Sequence, residues 1–388
     1  MRPGSEDLAE ALAALEGAHR RRTRRVIESP QGARVREGGA EVTNFAGNDY
    51  LGLANDPRLR TAAFRAIDEY GVGSGASPLV VGHMSVHEEA EKRFADFVGL
   101  PRALLFPSGY AANLGILATL GERDADIFGD RLNHACLNDG AILSRARFTR
   151  YGHLDLAALE QRLAASSASV RIVATDAVFS MDGDIAPLAE MLELCERYDA
   201  WLVIDDAHGI GVLGENGRGS LDHFKLRSPR IVYMATLGKA LGGYGAFVAG
   251  DADLVEWLMQ RARTYVYSTA LPPMVAAVAY ASADLLARDP GPVERLRARI
   301  REFRAACEAE SVPLGESTTA IQPILIGPDE RTLQIAAELR AHGQGFLVAA
   351  IRPPTVPEGT ARLRISLSAA HQRDDVEGLA QALGFALA

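Results

Sequence analysis

The sequence predicts an α/β protein with a large, mostly parallel sheet and a smaller α+β domain at the C-terminal end. Between residues 44 and 288, short runs rich in Val, Ile and Phe alternate with longer amphipathic runs, the pattern of repeated strand–helix units. A Pro-Gly-Pro stretch at residues 290–292 interrupts this alternation, and a charged helical run follows it. We therefore expect an N-terminal helical segment (residues 1–43), a large domain (residues 44–288) and a small C-terminal domain (residues 289–388).

The first predicted element is an amphipathic helix near the N-terminus. Ser5 is a suitable N-cap residue, and Leu8, Leu12 and Leu15 recur at the spacing that places them on one helix face. A cluster of arginines follows, "RRRTRR", which suits a solvated face, an electrostatic patch or part of an anion site.

Six buried strands are predicted in the large domain, from the runs "RALLFPSG", "DADIFGD", "VRIVATDAVFS", "AWLVIDDAHG", "RIVYMAT" and "GAFVAG". Helical patterns such as "IAPLAEMLELCERYD" lie between several of them. Ligands bind at the carboxyl ends of parallel strands. The segments that follow these strands, namely "FPSGYAAN", "RLNHACLNDG", "FSMDGD", "DDAHGIG" and "TLGKALGG", are therefore the candidates for a site.

The C-terminal domain is predicted from three further strand-like runs with helical patterns around them. These runs are "AIQPILIG", "FLVAAIRPP" and "ARLRISLS". Together with the charged helix that follows residue 292, they predict an α+β arrangement.

Composition and charge restrict the class of protein. The net charge of -9 argues against a nucleic-acid-binding domain. Three scattered cysteines lack metal-ligand spacing and suit a reducing compartment. No apolar run reaches the roughly 18 residues of a membrane span, and the N-terminus lacks the apolar core of a signal peptide. We expect a cytoplasmic enzyme without a membrane or nucleic-acid partner.

Lys239 is the most informative single residue, because it lies among small and apolar residues in "MATLGKALGGYGAF". A surface lysine is one interpretation. A phosphate-binding P-loop is excluded, because Tyr233 and Ala240 occupy the positions that need Gly and Ser or Thr. The third interpretation is an uncharged lysine that forms a Schiff base with a carbonyl group.

Two other segments carry residues suited to the same chemistry. "WLVIDDAHG" places Asp205 and His208 after a strand, where Asp205 could start a turn or keep a pyridine nitrogen protonated. "FPSGYAAN" places Ser108 before a helical run, which could bind a phosphate or form a capped helix without a ligand.

Taken together, these segments resemble the α-oxoamine synthases. The similarity covers nearly the whole chain and also includes "NFAGNDYLGL", "YSTALPP" and "AIRPPTVPEGTARLRISLSAAH". The resemblance implies an aspartate-aminotransferase-like fold of type I and pyridoxal 5′-phosphate as the cofactor. It implies no metal.

The resemblance also implies roles for individual residues around the cofactor. Lys239 would hold it as a Schiff base, Asp205 would pair with the ring nitrogen, and His134 would stack on the ring. His208 and Ser180 would hydrogen-bond the phenolic oxygen. The residues implied to hold the phosphate are Ser108, Gly109, Tyr110 and Thr236, joined by Ser268 or Thr269 from a partner subunit.

For the substrates, the resemblance implies that Asn48 and Arg352 bind the amino acid's carboxylate and that Arg20 contacts substrate. The segments "AIQPILIG" and "AIRPPTVP" favour the family member that condenses L-alanine with a pimeloyl thioester, carried by coenzyme A or acyl carrier protein. Related synthases that use glycine or serine are the nearest alternatives, and a non-catalytic binding subunit is a more distant one. Family members are homodimers with shared sites, so a homodimer is expected.

Overall fold

The computed structural model describes residues 7–343 and 345–388, and the predicted N-cap Ser5 lies outside them. The strands are β1 (Arg34–Glu37), β2 (Ala40–Asn44), β3 (Arg102–Phe106), β4 (Ala125–Asp130), β5 (Arg147–Tyr151), β6 (Val170–Asp176), β7 (Ala200–Asp205), β8 (Ile231–Thr236), β9 (Ala246–Gly250), β10 (Ile321–Gly327), β11 (Phe346–Leu347), β12 (Ala349–Ile351) and β13 (Ala361–Ser366).

The helices lie between these strands in the order that the amphipathic runs predict. They are α1 (Leu8–Gly17), α2 (Pro57–Tyr70), α3 (Ser85–Val98), α4 (Gly109–Leu120), α5 (Ala135–Ser144), α6 (Leu156–Ala165), α7 (Leu188–Arg197), α8 (Ser220–His223), α9 (Ala252–Arg261), α10 (Arg263–Val266), α11 (Pro273–Arg288), α12 (Gly291–Ala309), α13 (Asp329–Ala341) and α14 (Arg373–Leu387). Among the described residues, no helix combines the length and apolar character needed to cross a membrane.

The large sheet has seven strands in the order β3-β9-β8-β7-β6-β4-β5, and β9 alone runs against its neighbours. The six strands predicted from apolar runs all belong to it, so the mostly parallel α/β prediction is confirmed. The edge strand β5 was not predicted, because its sequence, "RFTRY", has two arginines and a threonine among its five residues and only one residue is buried.

Both faces of the large sheet are covered, because alternate residues of each central strand enter different apolar cores. In β7, Leu202 and Ile204 pack into one core and Val203 into the other. In β8, Tyr233 joins the first core and Met234 the second. This double burial explains why the central strands are apolar at nearly every position, without the polar alternation of a half-exposed sheet.

Two small sheets complete the fold. β10, β13 and β12 form an antiparallel sheet in the C-terminal part, where the three strand-like runs predicted it. β1 and β2 form a hairpin that pairs in parallel with β11, so residues 34–44 are strands within a segment that was expected to be helical. Helix α11 ends at Arg288 and α12 begins at Gly291, next to the predicted boundary. The division into domains stays a prediction.

Candidate active site

The candidate site lies at the carboxyl ends of four adjacent strands, β4, β6, β7 and β8. His134 follows β4, Asp176 ends β6, Asp205 ends β7 and Lys239 follows β8. Asp176 and Asp205 are direct neighbours in the β6–β7 register. The parallel sheet therefore brings together side chains that are more than a hundred residues apart in the sequence, at the edge where α/β proteins bind ligands.

Lys239 lies in a tight turn after β8, and its Nζ is 2.7 Å from Nε2 of His208. The turn depends on Gly242, which has a φ of 68° and lies so close to Leu53 that a Cβ would be 2.5 Å from the Leu53 carbonyl carbon. Burial lowers the pKa of Lys239 to about 8, although the Asp205 carboxylate acts in the opposite direction. An appreciable fraction of this amine is therefore uncharged near neutral pH, as a nucleophile or base requires.

Asp205 is buried, and hydrogen bonds fix both of its carboxylate oxygens. Oδ2 accepts from Nδ2 of Asn113 at 2.7 Å, and Oδ1 accepts from the backbone N–H of Ala207 at 2.9 Å. Asn113 is a polar residue on the otherwise apolar helix α4, and its side chain is fully buried. The carboxylate is thus held in one orientation among the strand ends.

Asp176 is buried next to Asp205, and its carboxyl group is the one whose pKa this environment raises. Burial, followed by the neighbouring Asp205 carboxylate, holds the pKa of Asp176 well above its usual range. One Asp176 oxygen accepts a 2.7 Å hydrogen bond from the backbone N–H of His134. Like charges on adjacent buried carboxyls disfavour double ionisation, so the protonated form of Asp176 is favoured beside Asp205.

His134 is the N-cap residue of α5, and its ring Nδ1 accepts from the backbone N–H of Cys136 at 3.3 Å. The Cys136 Sγ lies 2.8 Å from the same nitrogen, and burial raises the pKa of this thiol. Burial also lowers the pKa of His134, so the ring is neutral near pH 7. A flat, uncharged ring fixed at a helix start is suited to stacking on another ring.

A second set of polar side chains lies next to Lys239, around His208. Nδ1 of His208 is 2.7 Å from the Tyr50 hydroxyl, which in turn is 3.1 Å from Oδ1 of Asn48. Arg364 donates to Asn48 Oδ1 and to the Tyr50 oxygen, both at 3.2 Å. Burial and the charge of Lys239 hold the pKa of His208 well below its usual range, so His208 is neutral.

Arg364 is held rigidly although it is charged and only 4% exposed. Its Nε donates to the carbonyl oxygen of Ser180 at 2.6 Å, and Nη1 also donates to the Ser366 hydroxyl at 2.8 Å. A buried guanidinium whose partners are neutral oxygens is an unusual feature, because buried charges are normally paired. It is therefore a strong candidate for binding a substrate carboxylate.

The start of α4 forms another part of the site. The Ser108 hydroxyl caps this helix by accepting from the backbone N–H of Ala111 at 3.1 Å. A Cβ placed on Gly109 would lie 3.9 Å from the Thr236 Cβ, so the helix start adjoins the end of β8. The first N–H groups of a helix have no partner within it and attract anions, so this corner could hold a phosphate. Tyr110 projects outward, with its hydroxyl bonded to Asp139.

Ser268 and Thr269 lie after α10, apart from this cluster. The Ser268 hydroxyl donates to the carbonyl of Thr264 at 2.6 Å, and Thr269 is exposed. Within the described residues, no hydrogen bond joins either residue to Lys239, Asp205 or His208. Their predicted contact with the phosphate of a partner subunit stays a prediction.

Arg352 and Arg20 also lie elsewhere, in a cleft of about 830 Å³ between the N-terminal segment and residues 333–355. Arg352 donates to the His19 carbonyl, and Arg20 forms ion pairs with Glu358 at 2.9 Å and with Asp329 at 3.5 Å. Asn48 contacts Arg364, and Arg352 contacts the N-terminal segment. The predicted binding of the amino acid's carboxylate by Asn48 and Arg352 stays a prediction. Arg352 follows the short strand β12 and faces the N-terminal segment, whereas Arg364, within β13, faces Asn48.

Sequence reasoning did not assign roles to Tyr50 or Asn113. Each has a weak signal in the sequence: Tyr50 lies in "NFAGNDYLGL", and Asn113 is the polar residue of an apolar helix. Arg364 has a similar signal, because it lies in the alternating strand pattern "ARLRIS". These patterns indicate candidate site residues, but they do not predict which of the side chains lies in the site.

The donor set fits pyridoxal phosphate. An amine with a lowered pKa suits its carbonyl group, a buried and oriented carboxylate suits its ring nitrogen, and a capped helix start beside a threonine suits its phosphate. The residues in these three positions are Lys239, Asp205 and the Ser108–Thr236 corner.

Comparisons with known proteins agree with this geometry. The family model described as aminotransferase class I and II matches residues 40–383. An 8-amino-7-oxononanoate synthase of Methylococcus capsulatus is 53% identical over 98% of this chain and 98% of its own.

Two solved structures are also similar. A variant serine palmitoyltransferase from S. paucimobilis, solved with a bound PLP–myriocin aldimine, is 29% identical over 98% of both chains, with a TM-score of 0.90. An 8-amino-7-oxononanoate synthase from Francisella tularensis is 30% identical over 89% of this chain and 98% of its own, with a TM-score of 0.77.

Proposed function

The chain belongs to the aminotransferase class I and II family, and from its similarity to 8-amino-7-oxononanoate synthases we propose that it condenses L-alanine with a pimeloyl thioester. The products are 8-amino-7-oxononanoate, carbon dioxide and the free thiol, and the reaction is a step of biotin biosynthesis. The chain is a pyridoxal-phosphate-dependent acyltransferase. Relatives with more than half of their residues identical over nearly the full length bear the name of this activity.

The observation that carries the proposal is the Lys239 amine, placed with its lowered pKa between Asp205 and His208 at the carboxyl ends of parallel strands. When bound, pyridoxal phosphate supplies an aldehyde that condenses with amines and a pyridine ring that takes up the electron pair of a broken bond at the α-carbon. The roles that follow are those of the chain's own residues.

Lys239 is the residue that attaches the cofactor and, once freed, takes the α-proton of alanine on Nζ. The pKa of about 8 supports this role, because it leaves a fraction of the amine uncharged at physiological pH and lies close to the pH at which a general base is effective. Asp205 keeps its negative charge beside the ring nitrogen, while Asp176 carries a proton and holds the His134 backbone. His134 would stack on the ring as a neutral imidazole.

The remaining cofactor contacts are proposed from their positions. His208 and Ser180 would hydrogen-bond the phenolic oxygen; Ser180 adjoins the substrate region because its carbonyl accepts from Arg364. The backbone N–H groups of Gly109 and Tyr110, with Thr236 at the end of β8, would hold the phosphate. The Ser108 hydroxyl fixes this helix start.

The carboxylate of alanine is assigned to Arg364 together with Asn48. Guanidinium binds carboxylate through two parallel hydrogen bonds, and Arg364 is the guanidinium that contacts Asn48. Arg352 and Arg20 instead line the cleft of the N-terminal segment, where they could contact the acyl thioester. Coenzyme A and acyl carrier protein are both possible carriers of the acyl group.

A homodimer is proposed from the apolar surface that a single chain leaves uncovered. Helix α1 has no buried residue, and Leu8, Leu12 and Leu15 are 44–52% exposed. Val80 and Val81 are 73% and 74% exposed in a turn at residues 78–82. Ser77, next to this turn, hydrogen-bonds the carbonyl of Val266, just before Ser268 and Thr269. A second copy covering this surface would bring its own residues close to Ser268 and Thr269.

Light scattering of the purified protein tests the dimer. A mass twice the 41.5 kDa of the chain is expected, and a Val80→Asp, Val81→Asp variant should shift the equilibrium toward monomer. A single-chain mass at all concentrations would contradict the proposal.

The three cysteines are free and buried, which suits the reducing environment of the cytoplasm.

Product analysis tests the reaction itself. The purified, cofactor-loaded protein is given L-alanine, glycine or L-serine with pimeloyl, acetyl, succinyl or palmitoyl thioesters, and the products are identified by mass spectrometry. We expect 8-amino-7-oxononanoate from alanine and the pimeloyl thioester as the dominant product. A long-chain product from serine would favour the activity of the palmitoyltransferase neighbour. No product from any pair would contradict a catalytic role.

A further inference from the structure

Tyr50 connects two parts of the site that the proposed reaction uses separately. Its hydroxyl is 2.7 Å from Nδ1 of His208, whose Nε2 is 2.7 Å from the Lys239 amine. The same hydroxyl is 3.1 Å from Asn48 Oδ1 and 3.2 Å from Nη2 of Arg364. A continuous chain of hydrogen bonds therefore runs from the proposed carboxylate pocket to Lys239.

The directions of these bonds follow from which groups can donate. A guanidinium has no acceptor, so Arg364 donates both to the Tyr50 oxygen and to Asn48 Oδ1. The Tyr50 hydroxyl has one hydrogen and two possible acceptors, His208 Nδ1 and Asn48 Oδ1. Burial raises the pKa of Tyr50 despite the nearby Arg364, so the hydroxyl keeps its hydrogen.

Two complete arrangements are possible, and they differ in the charge of Lys239. If Lys239 is an uncharged amine, Tyr50 donates to Nδ1 of His208, and Nε2–H of His208 donates to Lys239. If Lys239 is an ammonium, it donates to Nε2, Nδ1–H donates to the Tyr50 oxygen, and Tyr50 donates to Asn48. In both arrangements every buried nitrogen of His208 has a partner, which avoids the free-energy cost of an unpaired buried polar group.

We propose that Tyr50 is a positioning residue that couples Lys239 to the Asn48–Arg364 pair by turning its hydroxyl between His208 and Asn48. The neutral His208 changes tautomer but not charge when Lys239 gains or loses a proton. This proposal rests on the proposed function, in which Lys239 moves a proton and Asn48 and Arg364 bind carboxylate. In the chain without cofactor, a carboxylate at Asn48 and Arg364 would compete for the Tyr50 hydroxyl and so affect the protonation of the amine. In the loaded chain, the phenolic oxygen of the cofactor would take the place of the amine at Nε2 of His208.

Several charged or titratable groups set the pH at which the hydroxyl turns. Burial and Arg364 favour the amine form of Lys239, whereas the Asp205 carboxylate favours the ammonium. Burial raises the pKa of Asp176 and Cys136, so these two neighbours are neutral in this pH range. Arg364 and His134 also lower the pKa of His208. Since these effects combine to give Lys239 a pKa of about 8, the change of tautomer should be centred there.

The test is nitrogen NMR of the full-length chain without cofactor, labelled with ¹⁵N in histidine. A protonated ring nitrogen and an unprotonated one have well-separated chemical shifts, so the tautomer of His208 is read directly. We expect His208 to carry its proton on Nδ1 about 1.5 units below pH 8 and on Nε2 about 1.5 units above it. The spectrum of His208→Asn assigns the signals.

Three variants distinguish the proposed coupling through Tyr50 from a general structural effect. Tyr50→Phe removes the hydroxyl. Below pH 8 the Lys239 ammonium still donates to Nε2, so Nδ1 should stay protonated as in the wild type. Above pH 8 we expect a mixture of tautomers in place of the wild-type Nε2–H form, because no hydroxyl donates to Nδ1. Tyr233→Phe is the matched control, because this tyrosine is also fully buried but donates to Asp206 at 2.6 Å, away from the chain. It should keep the wild-type exchange. Lys239→Met should abolish the exchange because it removes the titrating group.

The proposal is overturned if wild-type His208 keeps one tautomer across this pH range, or if Tyr50→Phe exchanges tautomers as the wild type does. The wild-type measurement decides the matter even if a variant does not fold. Product analysis of the wild-type preparation with L-alanine and the pimeloyl thioester distinguishes the two failures. If the wild type forms product but His208 does not exchange tautomers, only the coupling through Tyr50 is refuted. If no product forms, the proposed function is refuted.

Discussion

Replacing Arg364 with lysine should weaken the binding of L-alanine while leaving the cofactor bound. Lysine keeps the positive charge but loses the planar pair of donors, and it cannot donate from Nε to Ser180 as Arg364 does at 2.6 Å. Loss of one hydrogen bond to a charged group costs about 1.5–3 kcal/mol. Since about 1.4 kcal/mol corresponds to a factor of ten, the Kd for alanine should rise about 10- to 150-fold.

The assay is a spectral titration of the cofactor-loaded protein with L-alanine, alongside the Kd of the cofactor and the melting temperature. Arg352→Lys is the matched control, because Arg352 bonds the His19 carbonyl in another cleft, and its Kd for alanine should stay within about twofold of the wild-type value. The reasoning is refuted if Arg352→Lys weakens alanine binding and Arg364→Lys does not. The carboxylate site would then include Arg352, as the sequence alone suggested.

Two further predictions concern charged groups. Asp205→Asn should still bind cofactor but exchange the α-proton of alanine orders of magnitude more slowly, because the amide lacks the negative charge that keeps the ring nitrogen protonated. The exchange is followed by NMR in deuterated water. Exchange at the wild-type rate would assign the stabilisation of the ring nitrogen to another residue. The hydrogen bonds of His153 with Asp130 and Asp184, at 3.0 and 2.6 Å, outweigh burial and raise the pKa of His153 to about 9. The ion pair should add up to about 3 kcal/mol to the free energy of unfolding below pH 6.5, and this contribution should be lost as the pH rises through 9. Urea unfolding at several pH values should show the loss in the wild type but not in His153→Gln.

The elements with a strong local pattern could be predicted from the sequence. The central strands are apolar on both faces, so β6, β7 and β8 stood out. The edge strand β5 could not be recognised, since an exposed edge is polar and resembles a loop. The β1–β2 hairpin depends on β11, some 300 residues later, and no local pattern reports such a pairing.

The site was predictable where the chain order itself determines position. Residues that follow parallel strands meet at one edge, which is why Lys239, Asp205 and His134 could be grouped from the sequence. Arg364 and Tyr50 are different, because the contacts of β13 and the "NDYLGL" turn with the large domain decide which way their side chains face. The sequence favoured Arg352 for the carboxylate, and the packing, which places Arg364 beside Asn48, is the reason that we assign Arg364 instead.

The most direct test of the central claim is to identify the lysine that carries the cofactor. The chain has three lysines, and both Lys92 and Lys225 are more than 70% exposed and paired with carboxylates. After borohydride reduction of the cofactor-loaded protein and digestion, mass spectrometry locates the pyridoxyl group. The account predicts one pyridoxyl group per chain, on Lys239. A group on Lys92 or Lys225, or none on a protein supplied with cofactor, would contradict it.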